Sequence, residues 1–494
     1  MTECHIFGNY IYLSSYRCQE EYYEKYGNTK KLTDEFDNFV NTLEENDFIN
    51  KISLFSLSLD ENNVKKIKKF IMKNSLFKTI ELSFVKFYDF SLEKLMKYIS
   101  KSNNMTTIKI DNIKINHYND REQVNKIIID NLKTRNNIKT LNFSNKIVDT
   151  DMNNFMLLLS NNKFLKKLDI SDNKLGNHSM EPLGKYIEKN SELKYLDISD
   201  NKFGNQGLIN FSNGLANNSS LVKLTIGNEE NDIGNGIKFF YTTMSNNKYI
   251  KFFCLHKTKI DDTLIDNFVN MIILNDIIET LFLFGIKISD DNLIKVFDAI
   301  EKNTTINSLI MTNMIKNFPK NFSNTTITHL SLDIEMDNID TIVDYMIYNS
   351  NLKHLILFNA GNKINLNYLH KTLEQNNNLE YLSLENFGED NLVGMIDVFK
   401  INKSLINFDY ICENEIDNDI LFEVINSLES NNTLEKICLS KIDKLFAVKT
   451  FEKILETNYA LEYIGDCMDK LRHLLTPEAK ATRTKFLRTK KSVG

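Results

Sequence analysis

One twelve-residue segment of this chain occurs twice in nearly the same form. LKKLDISDNKLG at residues 165–176 is followed 28 positions later by LKYLDISDNKFG at residues 193–204. A fixed period of roughly 20 to 50 residues is the signature of stacked repeats, in which each unit contacts mainly its neighbours. The length of 494 residues therefore does not set the number of domains, and the same pattern is expected elsewhere in the chain.

The pattern L-x-x-L-x-L recurs along most of the sequence. Aligned on its fourth position, the predicted strand centres are Ile52, Ile80, Ile108, Leu141, Leu168, Leu196, Leu224, Phe253, Leu281, Leu309, Leu330, Leu355, Leu382, Phe408, Ile437 and Ile464. All intervals lie between 25 and 29 residues except a step of 33 to Leu141 and a step of 21 to Leu330. The sequence therefore predicts a repeat array over residues 46–465.

One repeat reads as a short strand, a turn and a helix. Leu168 and Ile170 alternate as in a strand with one buried side, and Asn173 can bond the free backbone groups of a turn. The apolar residues that follow at the spacing of one helical face are Met180, Leu183 and Ile187. A single unit cannot bury that stripe alone, so the units are expected to stack.

LKKLDISDNKLG with its 28-residue period resembles the leucine-rich repeat, in the long form found in ribonuclease inhibitor and in the Ran GTPase-activating protein. The resemblance implies an α/β solenoid, a horseshoe with a parallel sheet on the concave side and helices on the convex side. An asparagine also recurs just before the strands, at Asn46, Asn74, Asn162, Asn190, Asn218, Asn247, Asn275, Asn303, Asn349, Asn377 and Asn458. Because asparagine tolerates the left-handed conformation, these residues are predicted to end each convex helix.

Two steps depart from the common spacing. The long step contains INHYNDRE at residues 115–122, which is predicted to be an extended loop. The short step leaves too few residues for a strand and a full helix, and Pro319 would interrupt one. The sequence therefore predicts an irregular seam near residues 313–327.

Residues 1–45 and 466–494 fall outside the repeat. Terminal repeats expose an apolar cross-section that needs a cap, and both segments are predicted to contribute one. TDEFDNFVNTLEEN, at residues 33–46, is typical of a helix, and the first segment could instead be a separate recruitment module. It lacks the Leu-Pro-rich opening of an F-box.

The charge of the chain is uneven. The formal net charge is −6, and the last residues carry Arg483, Lys485, Arg488, Lys490 and Lys491 without an acid. Without these five, 55 basic and 66 acidic residues remain, a net charge of −11 for residues 1–482. An acidic body argues against nucleic acid as the main ligand, because phosphate binding needs a basic surface. The tail is interpreted as a solvated end or a short anion-binding or targeting segment.

The six cysteines are widely scattered, which is typical of reduced thiols in a cytosolic or nuclear protein. No signal peptide and no run of about 18 apolar residues is found, so membrane insertion is not expected. The eight histidines show no metal-ligand spacing, and no catalytic constellation or cofactor-binding motif is found. Asp169 and Asp197, one repeat apart, are interpreted as an acidic ladder on a strand face.

The residues that flank each central leucine should point outward from the concave sheet. These positions are polar in the early repeats, whereas from Phe253 onward large apolar and aromatic groups occupy them. The predicted partner-binding residues are Phe252, Phe282, Phe284, Ile310, His354, Ile356, Phe358 and Tyr381. An exposed apolar patch usually marks an interaction site. There are two alternatives: the C-terminal segment or an insertion covers the patch, or a register error places these residues in the core.

The sequence favours a non-enzymatic protein-recognition module or scaffold that binds a protein partner on the concave face. One alternative is a regulator of a small GTPase, because the repeat type is similar to that of the Ran GTPase-activating protein. A second is a ubiquitin-ligase-type substrate adaptor that recruits an enzyme through residues 1–45. No cofactor and no metal are expected in any of these functions.

Overall fold

The structure is a computed structural model. It describes residues 2–7, 10–15, 49–116, 121–145, 147–227, 234–360, 363–412, 414–442, 454, 458, 460–461 and 463–465. The chain divides into two compact units, Met1–Thr258 (unit 1) and Lys259–Gly494 (unit 2).

Unit 1 alternates strands and helices. Its strands are β1 (Thr2–Phe7), β2 (Tyr10–Ser15), β3 (Lys51–Phe55), β4 (Ser58–Leu59), β5 (Thr79–Ser83), β6 (Lys86–Phe87), β7 (Thr107–Asp111), β8 (Lys114–Ile115), β9 (Thr140–Ser144), β10 (Lys167–Asp169), β11 (Tyr195–Asp197), β12 (Lys223–Ile226) and β13 (Phe252–His256). Its helices are α1 (Glu61–Lys73), α2 (Ser91–Lys101), α3 (Arg121–Leu132), the 3₁₀ turn Asp149–Asp151, α4 (Met152–Asn161), α5 (Asn177–Lys189), α6 (Asn205–Ala216) and α7 (Gly234–Asn246).

Unit 2 continues the alternation. Its strands are β14 (Lys259–Ile260), β15 (Thr280–Phe284), β16 (Lys287–Ile288), β17 (Ser308–Ile315), β18 (His329–Ile334), β19 (His354–Asn359), β20 (Tyr381–Glu385), β21 (Asn407–Ile411), β22 (Lys436–Leu439) and β23 (Tyr463–Gly465). Its helices are α8 (Ile265–Leu274), α9 (Asp290–Lys302), α10 (Asp340–Tyr348), α11 (Asn367–Gln375), α12 (Asp390–Val393), α13 (Met395–Ile401), α14 (Asn418–Ser427) and the 3₁₀ turn Leu428–Ser430.

The strands pair in the register that the repeat predicts. In unit 1, Leu168 lies opposite Leu141 on one side and Leu196 on the other, and every pair from β2 to β13 is parallel. In unit 2, Leu330 lies between Leu309 and Leu355 in the same way. The predicted strand centres are therefore confirmed, and each unit is an α/β leucine-rich-repeat solenoid.

An antiparallel hairpin begins unit 1. β1 pairs with β2, and β2 pairs in parallel with β3, so that Ile11 lies opposite Ile52. Pairing with the hairpin satisfies backbone groups that β3 would otherwise present at a sheet edge. The helix predicted for residues 33–46 and the central residues of the loop predicted for 115–122 lie outside the described residues.

The helices bury the apolar stripe that the sequence indicates. In α5, Met180, Leu183 and Ile187 are buried. α9 begins after Ser289, whose hydroxyl accepts a hydrogen bond from the backbone N–H of Asn292, and buries Val296 and Ile300. A side-chain acceptor at this position satisfies one of the free N–H groups of the first helical turn.

The recurrent asparagines act differently from the prediction. Those at helix ends have negative φ, such as −85° for Asn303. The residues with positive φ lie elsewhere, mainly directly after strands, as at Ser56 and Phe84. The left-handed assignment is therefore wrong for the described asparagines, and Asn46 lies outside the described residues. The side chain of Asn303 instead bonds two repeats together: Nδ2 donates to the carbonyls of Ile272 and Asn275, and Oδ1 accepts from the backbone N–H of Ile306. The amide group satisfies buried backbone groups that neither repeat can satisfy alone.

The sequence also missed some of these asparagines. Asn324, Asn402 and Asn431 bond the preceding repeat in the same way, and the position assigned to Asn377 belongs to Asn376, whose Oδ1 accepts from the N–H of Leu379.

Replacement of Asn402 by alanine tests this role. Asn402 is 2% exposed, its Nδ2 donates to Leu373 and Asn376, and its Oδ1 accepts from Ser404 and Leu405. Because these backbone groups would lose their partners in a buried position, we expect Asn402→Ala to lower the free energy of unfolding of unit 2 by about 2 kcal/mol. The exposed neighbour Asn377 gives a matched control, and Asn377→Ala should change stability by less than about 0.5 kcal/mol. Equal effects in urea unfolding would contradict the assignment.

No helix lies between β17 and β18. Phe318 and Phe322 from this connection pack instead against Phe297 of α9 and Tyr345 of α10, with ring centroids 5.0 to 5.8 Å apart. The phenol of Tyr345 donates to the carbonyl of Asn324, 2.6 Å away. An aromatic cluster therefore fills the space that a helix occupies in the other repeats.

Candidate protein-binding face

Side chains alternate along each strand of unit 2, and those that do not point into the core form a second surface, which we call the open face. The register aligns its residues in three rows across β15, β17, β18, β19, β20 and β21. The first row is Thr280, Ser308, His329, His354, Tyr381 and Asn407. The second row is Phe282, Ile310, Ser331, Ile356, Ser383 and Asp409. The third row contains Phe284, Asp333, Phe358, Glu385 and Ile411.

Burial separates the two sides of the sheet. The central Leu309, Leu355 and Leu382 are 0% exposed, whereas Phe358 is 37% exposed. Phe282, Phe284, Ile310, His354, Ile356 and Tyr381 are partly exposed. The register-error alternative is therefore wrong, because a shift of one residue would exchange these two sets.

Phe252 belongs to β13 of unit 1, whereas the other seven predicted site residues belong to unit 2. The ammonium group of Lys223 lies over its ring, 5.0 Å from the centroid. Such a contact is attractive, since the ring face carries negative charge. In this structure Phe252 therefore already has a cationic neighbour from its own unit.

The seven residues of unit 2 do not form one continuous apolar patch. Phe282 and Phe284 contact each other edge to face, with centroids 5.7 Å apart, and Ile310 lies opposite Phe282 on the next strand. Ile356 and Phe358 lie on β19. The polar side chains of β18 separate the two groups, and Ser331, the smallest, lies between Ile310 and Ile356. This arrangement gives two apolar groups about 10 Å apart. The small polar side chain of Ser331 lies between them.

The first row contains three neighbouring aromatic rings, which are tilted or edge to face. The centroids of His329 and His354 are 4.0 Å apart, and those of His354 and Tyr381 are 5.6 Å apart. Partial burial lowers the pKa of both histidines, and the nearby His329 lowers the pKa of His354 further. Neutral imidazoles at pH 7 can present a ring face to a partner without the repulsion of two cations.

Three carboxyl groups accompany the apolar side chains. Burial, together with repulsion by Glu385, raises the pKa of Asp333 to about 6. Burial also raises the pKa of Glu385 and of Asp409, although Ser383 donates to Glu385 and the Tyr381 hydroxyl donates to Asp409 over 2.6 Å. Among the described residues, Lys436 of β22 is the cation that lowers the pKa of Asp409. A basic group from outside would therefore stabilise these carboxylates.

The carboxylates on the corresponding face of unit 1 have neighbouring hydrogen-bond donors within that unit. Glu81 contacts the ammonium groups of Lys51 and Lys109 at 3.0 and 2.7 Å and accepts from Ser53. Asp169 accepts from Asn142 and Ser171, and the next carboxylate of the ladder accepts from Tyr195 and Ser199. The carboxylates of the acidic ladder thus accept hydrogen bonds from neighbouring side chains.

Among the described side chains, no group of three or more His, Cys, Asp or Glu residues is arranged to hold a metal ion. None of the described helices has the length and apolarity needed to cross a membrane.

Sequence reasoning did not place the carboxylates in the site. Asp333 and Glu385 alternate with the apolar residues along their strands, and Asp409 lies opposite Ser383. The signal was present in the aligned strand positions. Whether these carboxylates are compensated depends on the charges of neighbouring strands, some 25 residues away in the sequence. Only the three-dimensional register shows which charges those are.

No protein-family model matches this chain, and no curated protein matches it. Among solved structures, an internalin from Listeria monocytogenes str. 4b F2365 is similar, with 13% sequence identity, a TM-score of 0.29, and coverage of 83% of this chain and 94% of that one. The class, a leucine-rich-repeat protein, follows from the strand–helix repeats and their register.

Proposed function

We propose that this protein is a non-enzymatic recognition module or scaffold that binds a protein partner on the open face of unit 2. The observation that carries the proposal is the combination of five partly exposed apolar side chains with three poorly compensated carboxyl groups on one sheet surface. The complementary partner is a segment with apolar side chains flanked by lysine or arginine. Such a segment would bury the phenylalanines and pair the carboxylates in one contact.

The aromatic residues supply most of the expected binding energy. Phe282, Phe284 and Phe358 are rigid side chains that are held by the sheet, so little conformational entropy is lost when a partner covers them. Aromatic residues of this kind are enriched among the few interface residues that dominate affinity. His354 and Tyr381 would contribute ring faces at the edge of the same contact.

A triple variant tests the proposal. We expect Phe282→Ser/Phe284→Ser/Phe358→Ser to weaken binding of the captured partner by about 150-fold, since each of the three lost anchors removes on the order of 1 kcal/mol. The partner is first isolated by affinity capture on the intact protein, and the dissociation constants of purified components are then measured by calorimetry. Circular dichroism must show that the variant keeps its fold.

The matched control replaces three phenylalanines that lie on or beside helices. Phe90, Phe164 and Phe422 are 63%, 55% and 44% exposed, all more than Phe358. Phe90→Ser/Phe164→Ser/Phe422→Ser should leave the affinity unchanged. If both triple variants bind as the intact protein does, or both lose binding equally, the open face is not the site.

Two narrower assignments belong to the same proposal. Most strand centres recur every 27 to 29 residues, with a helix in each of these intervals that the structure describes, and this supports repeats of the long, ribonuclease-inhibitor-like type. The six cysteines are widely scattered in the sequence, and this supports a reducing compartment, cytosolic or nuclear.

A further inference from the structure

The end of the chain has the composition that the open face of unit 2 requires of a partner. RTKFLRTKKSVG, at residues 483–494, places Phe486 and Leu487 between Arg483 and Lys485 on one side and Arg488 on the other, with two more lysines following. We call these residues the basic tail. They lie outside the described residues, so only their sequence enters the argument.

The open face offers partners for both parts of this segment. Ile356 and Phe358 lie beside Asp333 on one neighbouring strand, and Phe358 lies opposite Glu385 on the other. If Phe486 and Leu487 packed on β19, their flanking cations would therefore lie near carboxylates on the strands on both sides. On the face, apolar side chains lie between acidic ones, and in the tail, apolar residues lie between basic ones. A general attraction to an acidic protein would not require this correspondence.

The chain is long enough to reach this place within unit 2. The last described strand, β23, pairs with β22 in the same sheet, and four strand steps of about 4.8 Å separate it from β19, or about 19 Å. Twenty residues lie between Gly465 and Phe486, and a chain of that length spans at most about 70 Å. The most distant strand of the face, β15, is about 34 Å away and also within reach.

The tether also favours an internal contact over an external one. A segment joined by about twenty residues has an effective concentration on the order of 1 mM at its own sheet. A contact with a dissociation constant of about 0.1 mM, too weak to hold a free peptide, would then be mostly formed.

We propose that the basic tail docks on the open face of unit 2 of its own chain, with Phe486 and Leu487 on Ile356 and Phe358 and its cations on Asp333 and Glu385. The tail thereby acts as an internal competitor for the site. The competition rests on the proposed function, whereas the docking itself does not.

A photo-crosslinking experiment on the full-length chain tests the docking. The variant carries p-benzoylphenylalanine in place of Phe486 and is irradiated in dilute solution, and the crosslinked peptides are mapped by mass spectrometry. We expect crosslinks within the same chain to peptides that contain residues 354–359 and the neighbouring strands. Their yield should fall about fivefold in about 0.5 M salt, where charges are screened beyond about 4 Å.

The matched control changes the face and leaves the tail intact. Asp333→Asn/Glu385→Gln in the same probe-bearing chain should also reduce the yield, because the substitutions remove charge with little change of shape. Crosslinks spread over unit 1 or the helices, crosslinks that join two chains, or a yield that the face variant leaves unchanged would each overturn the proposal.

A second measurement separates this proposal from the proposed function. Replacing Arg483, Lys485, Arg488, Lys490 and Lys491 by glutamine should increase the affinity of the partner about tenfold, because the competitor is lost. Internal crosslinks without any bound partner would support docking and contradict the proposed function. Partner binding without internal crosslinks would do the reverse.

Discussion

We expect replacement of Gly214 by alanine to lower the free energy of unfolding of unit 1 by about 3 kcal/mol. Gly214 of α6 contacts Gly184 of α5, and a Cβ at Gly214 would lie 2.1 Å from the Gly184 carbonyl oxygen and 2.7 Å from its Cα. Both are backbone atoms, so no side-chain rotation can relieve the clash. The two helices must move apart and lose the packing of the leucines beside them.

Helix propensity acts in the opposite direction. Alanine in a helix interior is favoured over glycine by about 1 kcal/mol, so a stabilised variant would show that the helices separate at little cost. The matched control is Gly388→Ala, because a Cβ at Gly388 meets nothing within 4 Å. Its effect should stay below about 0.5 kcal/mol. Urea unfolding, together with hydrogen exchange of amides in β10 and β11, measures the change in unit 1 itself.

The strand register could be predicted from the sequence because it depends on one repeated contact. Each central leucine or isoleucine must be buried, and a shift by one residue would expose the whole set. Leu168 and Leu196 therefore determine where Asp169 and Asp197 lie, without knowledge of the structure. The open-face positions of Phe282 and Phe358 follow from the same rule.

The role of the asparagines could not be predicted in the same way. The sequence shows that Asn303 precedes a strand, and two mechanisms fit that position, a left-handed backbone or a side-chain bond. The choice depends on the carbonyls of Ile272 and Asn275, about 30 residues earlier, and on whether they lack other partners. The conformational preference of asparagine favours a left-handed backbone. The contact between repeats favours the side-chain bond, and this is what the structure shows.

The aromatic cluster beside β18 shows another limit. The spacing of 21 residues excludes a full helix after β17, and Pro319 supports that conclusion. The sequence does not tell which side chains replace the helix. Phe318 and Phe322 fill the space because Phe297 and Tyr345 from two other helices face it, which is a property of the packed structure.

The second large effect is a loss of stability of unit 2 at acidic pH. His370 of α11 is 6% exposed, and its Nε2 has no hydrogen-bond partner among the described residues. The backbone of Gly394 closes over the ring, and a Cβ there would lie 2.0 Å from Nδ1. Burial lowers the pKa of His370 to about 4, because a charged imidazole in this position would lose its water.

The sign of the effect follows from proton binding. An unfolded histidine has a pKa of about 6.5, so between pH 6.5 and 4 the unfolded state binds more protons than the folded state. The contribution of His370 to stability is therefore complete above pH 6.5 and is lost as the pH falls. At pH 4 the loss amounts to about 3 kcal/mol, from 1.36 kcal/mol for each unit of pKa difference.

His370→Leu removes this titration, so the free energy of unfolding of the variant relative to the intact protein should rise by about 3 kcal/mol between pH 7.5 and pH 4. Carboxylates that titrate in the same range cancel in the difference. His370→Gln provides a second non-titrating variant in case the leucine does not fit beside Gly394. Parallel pH profiles for intact protein and variants would mean that the imidazole reaches water in the folded state. Because α11 connects β19 to β20, which carry Phe358 and Glu385, acid that loosens this helix should also weaken binding at the open face.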